Sequence, residues 1–141
     1  ASEVGYGNVI SQLPGFADVA HFLINIHIGG TPLVSEAISV TVLAGITGSA
    51  SGGMSIALEL MSQDWLTWAQ SIGIGPEILH RVASMASGGL DTLPHNGAVI
   101  TLLAVCGLSH RESYKDIFAI TLMKTFAVFV IILIYSVTGL H

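Results

Sequence analysis

The stretch IFAITLMKTFAVFVIILIYSVTGL, residues 117–140, decides the class of the fold. Its only charge is Lys124, and nothing from Thr125 to Leu140 is charged. A helix crosses the hydrocarbon of a bilayer with about 20 apolar residues, so this stretch predicts a spanning helix. Lys124 lies two turns inside its start. It is expected to snorkel toward the headgroups, the alternative being a polar interior that it faces.

The rest of the composition agrees. The chain has 141 residues, enough for one domain, with 9% charged residues, 52% hydrophobic residues and a mean hydropathy of +0.77. An ordinary soluble globule carries about 25% charge, and a disordered chain has far fewer apolar residues, so both are excluded. Four Lys and Arg against nine Asp and Glu leave a net charge of −5, which excludes a nucleic-acid partner for want of clustered cations. Cys106 is the only cysteine, so neither a disulfide framework nor a cysteine zinc site is expected; within its apolar run it reads as a small buried hydrophobe. No metal site and no cofactor are expected. The chain begins Ala1-Ser2-Glu3, which suggests a processed terminus or, preferably, a piece of a longer chain.

Two further segments are apolar but interrupted. Residues 32–61 open with Pro32 at a helix start and run to Gly48. There Gly48-Ser49-Ala50-Ser51-Gly52-Gly53 makes a poor helix interior, and an apolar pattern resumes at Met54. Residues 76–108 repeat the plan. A half-helix from Pro76 to Ser87 leads into Gly88-Gly89-Leu90-Asp91-Thr92-Leu93-Pro94-His95-Asn96-Gly97, and a second apolar piece starts near Ala98. Ser62 to Gly75, with Trp65 and Trp68, reads as an interfacial loop with an aromatic anchor. Val19 to Ile28 is too short to cross a bilayer and reads as a re-entrant arm turning at Gly29-Gly30. Arg111 and Lys115 place the loop before the last helix in the cytoplasm and His141 outside. The fold class expected is therefore an all-α integral membrane domain with discontinuous and re-entrant helices.

In lipid every backbone N–H and C=O needs a partner, so unwound backbone survives only where it is covered or lines a cavity. Half-helix N-termini aim N–H groups and positive dipoles at anions. On this reading Ser49, Ser51, Gly52 and Gly53 form one half of an anion pocket, and Asp91, Thr92, His95, Asn96 and Gly97 the other. Asp91 and His95 are the ionisable pair at membrane depth and the candidates for a coupling proton. The structural alternatives are packing for the Gly48–Gly52 pair, and for Asp91 a cap or a partner to Arg81. His21 and His27 are six apart and read as interfacial side chains. Glu36 is expected to complement a helix dipole, and Glu59, Gln63 and Asp64 to mark the membrane edge. A Ser51–His95 dyad of an intramembrane hydrolase is a rival, weakened because the G-x-S-x-G position of the nucleophile holds Ala50.

The run from Gly45 to Leu58 resembles the Gly/Ser-rich segment of the gluconate permease (GntP) family. Ser87 to Ile100 resembles that family's second polar segment, and Leu108 to Asp116 its hydrophilic connection. The resemblance implies the C-terminal third of a proton symporter for gluconate or related hydroxy-carboxylates. It also implies an ion-transporter-type fold of two inverted repeats. Asn96 and His95 match the family's polar pair in kind. After Asn96 the gluconate branch continues with an acid and aromatics, whereas here Gly97-Ala98-Val99 follows, closer to the branch tied to short hydroxy acids such as 3-hydroxybutyrate.

The function expected is therefore import of a small organic anion with protons, in a bacterial inner membrane, with sodium as the alternative coupling ion. The partners expected are the bilayer and the rest of a permease chain, self-association being left open. An intramembrane serine hydrolase and a structural membrane subunit are the alternatives.

Overall fold

The computed structural model describes residues 9, 12–25 and 30–139. Six helices are described: α1 Pro14–Ile24, α2 Pro32–Thr47, α3 Ala50–Ser71, α4 Pro76–Ser87, α5 Gly97–Cys106 and α6 His110–Thr138. No strand occurs among the described residues.

Helix α2 is the centre of the bundle, touched by α1, α3, α4 and α6. It is buried on nearly every side, as suits a sequence without a polar face. Gly48, at φ 62°, closes it in the left-handed conformation that glycine adopts freely, and Ser49 opens α3. With only two residues between them, the helices fold back on each other. The buried face of α3 follows a four-residue spacing, Gly53, Ala57, Met61, Trp65 and Ala69, which lays one ridge along α2. At Gly53 the two backbones nearly touch, since a Cβ there would stand 2.2 Å from the Ala44 nitrogen. Further from the turn, Trp65 fills the gap and its indole Nε1–H donates to Ser35 Oγ at 3.3 Å.

Helix α4 packs on this hairpin through Ile78, Leu79, Val82, Ala83 and Ala86, and Thr41 Oγ1 donates to the Ala86 carbonyl at 3.0 Å. Helix α6 is long and apolar enough to cross a membrane by length and composition, and only 17% of its most apolar window is buried. Its ends are defined by a Ser109–Glu112 capping box and by Gly139 at φ 60°.

Several sequence expectations need correction. The first break is two residues long, not six: Ser49 Oγ caps α3 by accepting from Gly52 N, so the helix starts at Ala50 and not at Met54. Residues 62–71 are the continuation of α3 and not a loop, because Trp65 and Ala69 extend its buried stripe. Trp65, 4% exposed, is a core residue. The last helix begins seven residues early, at His110. Cys106 is exposed, not buried. Of the proposed re-entrant arm, Val19 to Ile24 is the end of α1; His27 and Gly29 lie outside the described residues, as does the side chain of His21.

Candidate functional site

The two helix breaks meet. Gly48 sits against the His95 ring, with a Cβ position 3.0 Å from His95 Cδ2, and Gly45 lies against Leu90 and Leu93. Asn96 ties the breaks together. Its Nδ2 donates to the Gly48 carbonyl at 2.6 Å and to the Asp91 carbonyl. Its Oδ1 accepts from Ala98 N at 2.7 Å and Val99 N at 3.4 Å, which caps α5. Two donors and two acceptor positions are the whole capacity of an amide, so Asn96 is saturated and holds the crossing together. It is buried, at 5% exposure. His95 Nε2 lies 2.9 Å from the Gly45 carbonyl oxygen. A carbonyl can only accept, so Nε2 carries the proton, and Nδ1 of the neutral ring is an acceptor.

Helix α6 holds the second break from outside. His110 Nε2 donates to the Pro94 carbonyl at 3.0 Å, and Tyr114 Oη–H to the Thr92 carbonyl at 3.5 Å. Thr92 Oγ1 is hydrogen-bonded to Thr121 Oγ1, and Lys124 Nζ donates to Asp91 Oδ1 at 3.0 Å. These residues stand at 110, 114, 121 and 124, spacings of four, seven and three that share one helix face. Val128 and Ile132 continue that face into the hydrophobic core. Sequence reading missed this polar stripe because the helix was judged by its apolar content. The signal was present as Tyr114, Thr121 and Lys124 at helical spacing.

Lys124 therefore faces Asp91 and does not snorkel, and Asp91 is paired with Lys124 and not with Arg81, which is exposed. Ser51 Oγ lies 3.4 Å from Ser49 Oγ, so the first hydroxyl of the rival dyad is engaged with a serine, while His95 is engaged with Gly45. Glu36 is 1% exposed, inside the bundle, and Oε2 has no partner; it does not serve the helix dipole from the surface.

Of the sequence-predicted site residues, Ser49, Gly53 and Asn96 are buried, Gly52, Asp91 and Thr92 half-buried, and Ser51 and His95 exposed. Ser51, Pro94, His95 and Gly97 give the crossing an open face. Among the described residues the backbone N–H groups of Ala50, Ser51 and Gly97 have no hydrogen-bond partner. They sit in the first turns of α3 and α5, where the helix dipole is positive. Three cavities of about 530, 300 and 150 Å³ lie elsewhere, and neither break lines them. Among the described residues no cluster of His, Cys, Asp and Glu is suited to a metal ion.

The chain is similar to a protein of Bacillus subtilis (strain 168) named "Uncharacterized transporter YxjC", with 61% identity over 139 residues, 99% of the chain. It spans 29% of that protein's length. No family model matches the chain, and no solved structure matches it.

Proposed function

We propose that this chain is the part of a longer bacterial inner-membrane transporter that supplies half of its substrate site, and that the substrate is a small hydroxy-carboxylate imported with protons. The observation that supports the reading most is the crossing of two helix breaks on an open face, with Lys124 beside it. A similar protein named a transporter supports the class, and the resemblance to gluconate permeases supports the substrate. In this reading the N–H groups of Ala50, Ser51 and Gly97 and the Ser51 hydroxyl receive the substrate's oxygens. His95 Nδ1 accepts from its hydroxyl. Ser49, Gly52, Gly53, Thr92 and Asn96 shape the crossing.

The Asp91–Lys124 pair offers a physical route to symport. Lys124 Nζ is 3.0 Å from a carboxylate oxygen of its own chain. A proton on Asp91 removes that negative charge and leaves the ammonium in need of another anion. Substrate carboxylate and proton then bind better together than apart, which is the linkage that coupling requires. His95 is within the same break and is the second titratable group of this proposal.

The test is uptake by the full-length protein in proteoliposomes. Labelled gluconate and 3-hydroxybutyrate are offered under an inward pH gradient. Accumulation that a protonophore abolishes is the expected result. Accumulation driven by sodium with no response to pH would overturn the proton assignment, and failure of any hydroxy acid to enter would overturn the substrate class.

A further inference from the structure

Glu36 stands apart from every other acidic side chain described. Asp91 is paired with Lys124, Glu112 is bonded to Ser109, and Asp18, Glu59, Asp64, Glu77 and Asp116 are exposed. Glu36 lies on the central helix α2 at 1% exposure, with Oε2 buried and unpartnered. One turn on, Ser39 Oγ is likewise buried without a partner. An ionised carboxylate held in this way loses its hydration and gains nothing in return, whereas a protonated carboxyl is far cheaper to bury.

Glu36 borders a cavity of about 150 Å³. The walls are largely apolar, with Leu58 and Leu66 of α3 and Leu79 of α4 among them; Ser62 and His80 add polar atoms. His80, on α4, is the titratable group that shares this lining with Glu36; α3 brings none, and neither α1 nor α6 contributes a lining residue among those described. No Lys or Arg lines it. Trp65 borders this cavity and also the one of about 530 Å³, whose lining includes Asp64, Trp68 and Asn25. The Trp65 indole is held by Ser35, the neighbour of Glu36 in sequence. Trp65 thus stands between the buried Glu36 side chain and the larger space.

We propose that Glu36 is a proton-binding site of the transport cycle, separate from the crossing of the breaks, its carboxyl buried here between α2, α3 and α4. The proton comes from water and returns to it: Oε2 gains H⁺ when the carboxyl is accessible and keeps it while buried. The inference goes beyond the substrate site, and the labelling arm of its test does not depend on which anion is carried.

The test has two arms on the full-length protein in lipid. Dicyclohexylcarbodiimide reacts with protonated carboxyls in apolar surroundings, and peptide mass spectrometry locates the adduct. Glu36 is expected to be labelled at about pH 6 and much less at about pH 10.5, while exposed Glu59 and Glu77 are spared. In the second arm, Glu36→Gln should retain counterflow exchange of a hydroxy acid and lose pH-driven accumulation, by about tenfold per pH unit of gradient for each proton lost. Absence of the Glu36 adduct at every pH would overturn the proposal. So would labelling that sodium suppresses and pH leaves alone, or normal pH-driven accumulation in Glu36→Gln. If Asp91→Asn loses accumulation while Glu36→Gln keeps it, the Glu36 site fails and the reading of the breaks stands. If Glu36→Gln does not fold, the labelling arm still decides.

Discussion

Gly53→Val is expected to prevent the α2–α3 hairpin from closing, and with it the site. A Cβ on Gly53 would stand 2.2 Å from Ala44 N, 2.3 Å from Ala44 Cα and 2.6 Å from the Leu43 carbonyl carbon. All three are backbone atoms of the central helix, so no side chain can swing aside. The helices would have to separate along the ridge that runs from Ala57 to Ala69, at a cost of about 4 kcal/mol or more, the range of severe overpacking. The measurement is the monodisperse fraction after extraction in mild detergent, expected to fall at least about tenfold. Gly52→Ala is the control. There the added carbon meets the Ser49 side chain at 3.3 Å, a contact that shifts of a few tenths of an ångström relieve, and the protein should remain folded. Wild-type behaviour of Gly53→Val would refute the closeness of the hairpin.

Lys124→Met should abolish transport more completely than any other single change at the crossing. It removes the cation of the proposed site and leaves Asp91 without its ion-pair partner. The side chains are 37% and 23% exposed, so the folding penalty is about 1–2 kcal/mol, below that of a fully buried pair. Insertion should survive, and uptake should not. Asp91→Asn should behave differently: it keeps the ammonium without its resident anion, so exchange continues while pH-driven accumulation drops, by about tenfold per pH unit if one proton is lost. Counterflow exchange beside gradient-driven uptake separates the two. Equal loss in both assays for Asp91→Asn would return Asp91 to a structural role.

The sequence was most readable where the backbone rules are strict. Pro32 and Pro76 mark helix starts, and the region from Gly88 to Asn96 is irregular as its glycines and Pro94 require. It was least readable where side chains decide. The first break looked six residues long because three glycines and three small residues are poor helix formers. Ser49 caps the new helix at once, and Gly53 is needed inside it for contact with Ala44. Trp65 was read as an interfacial anchor from its Trp68 and Asp64 neighbours, but the four-residue stripe that contains it was visible from Gly53 onward. Lys124 could be placed only by knowing that α6 lies against the second break. Asn96 was singled out as a ligand, and that its amide ties the two breaks together could be read only from its four partners in space.

The central claim is that substrate binds where the two breaks cross. Its most direct measurement is substrate protection of single cysteines in a Cys106→Ser background of the full-length protein. Ser51 and Gly97 are exposed at the crossing, and a Cβ on Gly97 meets nothing within 4 Å, so both positions accept cysteine. Ser84 is exposed on α4 and serves as the distant reference. With a transported hydroxy acid at ten times its half-saturating concentration, maleimide labelling of Ser51→Cys and Gly97→Cys should slow by roughly tenfold, and that of Ser84→Cys should not change. Unaltered rates at both crossing positions, under conditions where the protein transports, would contradict the account.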